Sequence, residues 1–173
     1  PIEKPMNITT LRTKDGFQLA AYVVKPGGIP RGAIVVVQEI FGVNSHIQSI
    51  CDRLAENGYV AIAPAMFDRI HPSFESGYTP EEVAQAKALM QNFNIETALL
   101  DLEAARRHVA SAGKVGIVGF CLGGSLSWLA ATRLKGFSGA SSFYGGMVQQ
   151  FASEVPKCPV QFHFGADDAS IPP

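Results

Sequence analysis

The sequence has little charge and no excess of either sign. Only 17% of its 173 residues are Asp, Glu, Lys or Arg, and the formal net charge is −1. The basic residues form no stripe or block, which argues against nucleic acid or an anionic membrane surface as a partner. The apolar runs are only strand-sized, so we expect no transmembrane helix. The first residues also lack the pattern of a secretory signal.

Cysteine is scarce as well. Cys51, Cys121 and Cys158 are an odd number of thiols at no metal-ligand spacing, and the sequence has no Cys-x-x-Cys motif. This pattern predicts free thiols in a reducing, cytoplasmic compartment and no metal site. A thiol-based redox protein is disfavoured, because neither Cys51 nor Cys158 has the sequence context of a resolving partner.

Apolar residues are abundant, at 47% of the chain, and the length suits a single domain over residues 1–173. Periodicity and turn residues predict strands and helices in alternation after an N-terminal β-hairpin. We therefore expect an α/β fold with a mostly parallel sheet and helices on both faces. The predicted strands are 7–12, 18–24, 33–37, 59–63, 115–118, 137–143 and 160–164, and the predicted helices are 47–57, 80–93, 95–110 and 125–134.

The segment GFCLGG at 119–124 is the most informative part of the chain. It lies between an apolar strand and a helical pattern, and it matches the nucleophile elbow Gly-x-Ser-x-Gly with cysteine in place of serine. Gly119 and Gly123 provide the small neighbours that a strained turn requires. Cys121 would then sit at a helix start, which favours a thiolate. The alternative is a buried cysteine beside helix-packing glycines. The Gly-x-Gly-x-x-Gly register of a dinucleotide loop is not met.

Polar residues follow several of the predicted strands where each one ends. Gln38-Glu39, Cys121, Tyr144 and Asp167-Asp168 all lie at such positions. In open α/β sheets, ligands bind beyond the carboxyl ends of the strands. The order of elements therefore predicts that these side chains converge on one site.

Four segments resemble the dienelactone hydrolase family of α/β-hydrolases. They are QEIFGVN at 38–44, GFCLGG at 119–124, FYGG at 143–146 and FHFGADD-x-x-IP at 162–172. Their order and separation also match, over nearly the whole chain. The resemblance implies an α/β-hydrolase fold and a hydrolase that cleaves a small ester or lactone without metal or organic cofactor. It leaves open a monomer or a homodimer.

The resemblance also implies roles for individual residues. Cys121 matches the nucleophile, and Asp168 matches the triad acid, because that acid lies four residues before the proline matched by Pro172. Glu39 matches the acid that holds the resting thiol and later swings away. A carboxylate there disfavours the thiolate by like-charge repulsion, so our hypothesis is that it keeps the resting thiol neutral. The oxyanion hole would be the backbone amides of Ile40 and Leu122, and Tyr144 would line the substrate pocket.

The family's arginine and tyrosine that clamp a substrate carboxylate correspond here to Val83 and Lys87. Lys87 can attract an anion as a point charge, and Arg69 in the preceding loop is a second candidate for that contact. Dienelactone itself is therefore disfavoured as the substrate, whereas a small ester or lactone remains the prediction.

The histidine that the family places after the triad acid is not found after Asp168. His46, His71, His108 and His163 all precede it. We therefore expect that the 173 residues are a truncated hydrolase domain, with a last strand, further helices and the histidine beyond Pro173. Such a piece should be poorly soluble and almost without turnover. The alternative function is a non-catalytic binding or scaffold protein that keeps the site and lacks the histidine.

Overall fold

The computed structural model describes residues 7–172. Seven strands and four α-helices follow one another along the chain, with two short 3₁₀ turns between them. The strands are β1 (Ile8–Arg12), β2 (Gln18–Val24), β3 (Ala33–Val37), β4 (Val60–Pro64), β5 (Val115–Phe120), β6 (Phe137–Phe143) and β7 (Val160–His163). The helices are α1 (Ser45–Glu56), α2 (Pro80–Met90), α3 (Ile95–His108) and α4 (Leu122–Arg133).

All seven strands form one sheet in the order β1-β2-β4-β3-β5-β6-β7. The hairpin β1–β2 is antiparallel, and β2 also pairs antiparallel with β4. From β4 to β7 every neighbouring pair is parallel. The predicted α/β fold with a mostly parallel sheet behind an N-terminal hairpin is confirmed. Since the strands from β4 to β7 run in one direction, their carboxyl ends share one edge of the sheet.

Both faces of the sheet are covered by helices, because side chains of a strand alternate between the two faces. On β3, Val35 and Val37 join the larger apolar cluster, which is shared with α3 and α4. Val36 points to the opposite face and packs with Ile47 and Cys51 of α1. A strand that is apolar at every position is therefore buried on both sides, as the run 33–37 predicted.

Capping side chains set the beginnings of three helices. Asn44 caps α1 by accepting from the amide of Ile47 at 3.2 Å, so the helix begins before the apolar pattern does. Thr79 and Glu82 form a capping box at the start of α2. Asn94 caps α3. Helix α2 ends at Met90 rather than at the predicted residue 93, since Asn92 and Phe93 continue as turns toward that next cap. Within residues 7–172, no helix is long and apolar enough to cross a bilayer.

Candidate active site

Cys121 occupies a sharp turn between β5 and α4. Its backbone has φ 57° and ψ −116°, a strained combination for a residue with a side chain. The turn is held from both sides. The Cys121 amide donates to the carbonyl of Phe143 at 3.0 Å, and the Cys121 carbonyl accepts from the amide of Gly124 at 2.9 Å. Helix α4 therefore starts directly at Leu122, three residues earlier than predicted, because the elbow leads straight into it.

The glycines on either side are required by close packing. A Cβ atom on Gly119 would collide with the carbonyl oxygen of Gly123, and one on Gly123 would collide with the carbonyl oxygen of Val37. The backbone of α4 thereby lies directly against the ends of β5 and β3. This contact fixes the thiol at the carboxyl edge of the sheet.

The Cys121 thiol is partly sheltered and lies between backbone donors and carboxylates. Burial raises the pKa of this thiol above its ordinary value, and the charges of Glu39 and Asp168 raise it further. Hydrogen bonds from the amides of Leu122 and Ile40 act in the opposite direction and lower the pKa. Five of the predicted residues therefore lie close enough to act on one another: Glu39, Ile40, Cys121, Leu122 and Asp168.

Glu39 is held by two phenols. Its Oε1 accepts from the hydroxyl of Tyr78 at 3.0 Å, and its Oε2 accepts from the hydroxyl of Tyr144 at 3.1 Å. Tyr144 follows β6 in a left-handed conformation, with φ 39°. Its amide donates to the carbonyl of His163 at 2.7 Å, which ties it to the end of β7. The Tyr144 hydroxyl thus faces the Glu39 carboxylate.

The turn that carries Glu39 is tied to the loop after β4. Gln38 is buried, and its amide group accepts from the Met66 amide at 2.9 Å while it donates to the Glu39 carbonyl at 3.1 Å. Farther along, the Ser76 amide donates to the Phe41 carbonyl at 3.0 Å. The Asn44 side chain donates to the Ser76 carbonyl at 3.1 Å. These bonds bring the loop end to Glu39.

Tyr78 was not found by sequence reasoning. It lies in the predicted loop after β4, where no periodicity or family segment singles it out. An available signal was its position two residues before a helix that starts with Pro80, beside the predicted strand-end edge. That signal is weak, because an aromatic residue in such a loop usually packs against its neighbours.

Asp168 lies in a turn after β7. Its Oδ1 accepts from the Ser170 amide at 2.8 Å, and its own amide donates to the Gly165 carbonyl at 3.3 Å. It is partly buried, whereas the neighbouring Asp167 is exposed. Asp168 therefore forms a local turn and also contributes its charge at the thiol.

The structure does not bring Arg69 to this group. Its guanidinium donates to Asp101 through Nε at 3.1 Å and through Nη2 at 2.9 Å, and Nη1 donates to Asp15 at 2.8 Å. It also lies 4.3 Å from the centroid of the Phe17 ring. These contacts join the hairpin to α3 and occupy the guanidinium of Arg69. Lys87 is exposed on α2.

The four histidines fall into two groups, one partly buried residue and three exposed ones. The His163 ring stacks on Phe143, with the ring centroids 4.0 Å apart, and its Nε2 is buried without a hydrogen-bond partner among residues 7–172. His46, His71 and His108 are exposed. None of these contacts places an imidazole against the Cys121 thiol.

Comparison with known proteins gives a consistent picture. The model of the dienelactone hydrolase family matches residues 19–173. A carboxymethylenebutenolidase from Pseudomonas putida is 36% identical over 173 residues, covering 94% of this chain and 72% of that protein. A candidate carboxymethylenebutenolidase from Synechocystis is 36% identical over 182 residues, covering 95% of this chain and 74% of that protein.

A solved structure agrees with the sequence comparison. The crystal structure of a candidate dienelactone hydrolase from Klebsiella pneumoniae superimposes with a TM-score of 0.75 at 34% identity. The match covers 95% of this chain and 75% of that one. The chain thus spans about three quarters of the length of each of these three relatives.

Proposed function

The chain belongs to the dienelactone hydrolase family of α/β-hydrolases, and from this premise we propose that it hydrolyses a small ester or lactone through the thiolate of Cys121. The observation that carries the proposal is the strained turn that holds the Cys121 thiol at the start of α4. The backbone amides of Leu122 and Ile40 act as hydrogen-bond donors toward this thiol and lower its pKa. A carbonyl oxygen bound beside that sulfur would meet the same two donors.

The acylation step follows from this arrangement. The thiolate sulfur forms a bond to the ester carbonyl carbon, and the carbonyl electron pair moves onto oxygen. The amides of Ile40 and Leu122 bind that oxyanion. Each such donor supplies about 3–4 kcal/mol of transition-state stabilisation. Collapse of the intermediate breaks the carbon–oxygen bond to the leaving alkoxide, which takes up a proton from water. The alkoxide of an ester departs as an alcohol, and that of a lactone stays attached to the acyl chain. A thioester on Cys121 remains.

Water must then hydrolyse the thioester, which needs a general base. The family resemblance assigns this task to a histidine oriented by Asp168, and the four histidines of the sequence precede Asp168. Among residues 7–172 no hydrogen bond joins an imidazole to the Cys121 thiol, so acylation of Cys121 is the step that the described residues support most directly. A non-catalytic binding or scaffold protein is the second candidate, and the position of the histidines is the observation that favours it.

Glu39 supports a resting state in which the thiol is neutral. Burial first, and then the charges of Glu39 and Asp168, raise the pKa of the thiol, and a neutral thiol resists oxidation. In this proposal Glu39 moves away when substrate binds, so that the thiolate forms when it is needed. Substrate contact is assigned to Tyr144, with Lys87 as a distant attraction for an anionic ester.

The test is hydrolysis of a chromogenic short-chain ester together with the mass of the intact protein. We expect one acyl group on Cys121 and the release of one equivalent of the chromogenic alcohol, and Cys121→Ala should lose both. Cys158→Ala is the matched control, since that free thiol lies outside the elbow, and it should keep both. An adduct mapped to Cys51 or Cys158 would contradict the proposal. Ester binding without any adduct would favour the scaffold alternative.

A further inference from the structure

The two phenols that hold Glu39 differ in how firmly they are fixed. Tyr144 is half-buried, and its backbone is tied to β7 through His163. Tyr78 is 54% exposed and lies in the loop that leads to α2. Each phenol supplies one hydroxyl to one carboxylate oxygen. The carboxylate is therefore attached to the sheet at one oxygen and to a surface loop at the other.

Tyr78 is oriented by two contacts of its own. Its hydroxyl accepts from the Asn44 side chain at 3.3 Å, which leaves the O–H proton for Glu39. Its ring packs edge-on against Phe41, with the ring centroids 4.6 Å apart. Asn44 and Phe41 belong to the same turn as Glu39. The loop residue is thus held against this turn at its ring and at its hydroxyl.

Both phenols remain hydrogen-bond donors at neutral pH. Burial and then the Glu39 charge raise the pKa of Tyr144. Burial and Glu39 raise the pKa of Tyr78 as well, against the lowering effect of Asn44. A protonated phenol gives the carboxylate an O–H donor and adds no charge. The phenols can therefore hold Glu39 in place while its negative charge continues to act on the thiol.

We propose that Tyr78 is a positioning residue that holds the Glu39 carboxylate beside Cys121. The proposal rests on the proposed function in one respect, namely that Cys121 is the reacting group. The alternative is an incidental surface hydrogen bond, which contributes little because water can replace it. Under that alternative, removal of the Tyr78 hydroxyl has no effect on the thiol.

The experiment measures the rate at which iodoacetamide alkylates Cys121 between pH 6 and about 10, with peptide mass mapping to separate Cys121 from Cys51 and Cys158. Tyr78→Phe keeps the ring against Phe41 and removes only the hydroxyl. Without this donor Glu39 moves more freely, its repulsion of the thiolate weakens, and alkylation at pH 7 should rise about two- to fivefold. Glu39→Gln should raise it about tenfold.

The decisive variant is Tyr78→Phe combined with Glu39→Gln. If Tyr78 acts through Glu39, its substitution has no further effect once the carboxylate charge is gone. Tyr59→Phe is the matched control, because that phenol lies under Arg31, with 5.0 Å between the guanidinium carbon and the ring centroid. It should leave the alkylation profile unchanged.

Three results would overturn the proposal. In the first, Tyr78→Phe leaves the profile unchanged while Glu39→Gln shifts it. In the second, Tyr78→Phe has the same effect with and without Glu39. In the third, Glu39→Gln itself has no effect, so that there is no charge to position. The assay needs no turnover. A failure of the proposed function, seen as hydrolysis that survives Cys121→Ala, is therefore a separate result.

Discussion

Asp101 and Glu39 are sheltered carboxylates that the protein holds in opposite ways. Asp101 is fully buried on α3 and receives three hydrogen bonds from the Arg69 guanidinium, two from Nε and one from Nη2. Glu39 is partly buried at the end of β3 and receives two hydrogen bonds from neutral phenols. Both carboxylates have their oxygens occupied, but only Asp101 has a cation beside it.

This difference separates a structural acid from an acid that can act on a neighbour. The guanidinium offsets the charge of Asp101 and joins the hairpin to α3. The paired carboxylate therefore has only a weak electrostatic effect on other groups. The phenols fix Glu39 and leave its charge uncompensated, and that charge raises the pKa of the Cys121 thiol. In this protein a charged partner gives Asp101 a structural role, whereas neutral partners leave Glu39 able to act on the thiol.

Removal of the cation should have the largest effect on stability. We expect Arg69→Met to lower the free energy of unfolding by about 3–5 kcal/mol, because Asp101 would remain buried without its partner. The measurement is urea denaturation at pH 7. Arg69→Met together with Asp101→Asn should recover part of the loss, since no buried charge is left. Equal losses in both variants would show that the ion pair is not the cause.

The second largest expected effect is the pH dependence of stability that Asp101 causes. Burial raises the pKa of Asp101 to about 6 against the opposing effect of Arg69. The folded state then binds more protons than the unfolded chain between about pH 4 and 6. The contribution of this group to stability is therefore largest below about pH 4 and declines as the pH rises through 6, by up to about 3 kcal/mol.

Denaturation curves at a series of pH values between 4 and 7 test this sign. In Asp101→Asn the free energy of unfolding should no longer decline with rising pH. The substitution can lower this free energy at every pH by the same amount without affecting the test. A variant whose stability follows the wild-type slope would assign the titration to another group.

The smallest expected effect concerns Lys87, which is exposed on α2. Lys87→Ala should raise KM for an anionic ester about two- to threefold and leave KM for a neutral ester unchanged, since an exposed point charge acts only by weak attraction. Lys135→Ala, at another exposed position, is the control. The same change for both esters would indicate an effect on α2 rather than on charge.

Much of the fold could be predicted from local pattern. The run 33–37 is apolar throughout and forms β3 over those residues, and β6 also has its predicted bounds. The hairpin was likewise found from alternation around a turn. Boundaries shifted where a side chain decided them: Asn44 starts α1 two residues before the predicted helix, and the elbow starts α4 at Leu122. Such a boundary depends on a single residue, so the repeat of apolar residues along the sequence does not reveal it.

The candidate site could be predicted only in part, for a physical reason. The order of elements sends Cys121, Glu39 and Tyr144 to one edge of the sheet, because parallel strands end together. Arg69 and Tyr78 both lie in the loop after β4, where the path of the chain is set by tertiary contacts. From sequence, Arg69 had the chemistry of an anion contact. Its partners Asp15 and Asp101 lie 54 and 32 residues away, and only the folded chain joins them.

Two backbone hydrogen bonds support the bend at Cys121. The Cys121 amide donates to the carbonyl of Phe143, and the Tyr144 amide donates to the carbonyl of His163. These hydrogen bonds connect the carboxyl ends of β5, β6 and β7. An engineer who wished to graft this reactive turn onto a foreign scaffold would have to transfer the adjoining strand tips along with the short glycine-rich segment. Copying six residues alone would give a cysteine in a relaxed loop.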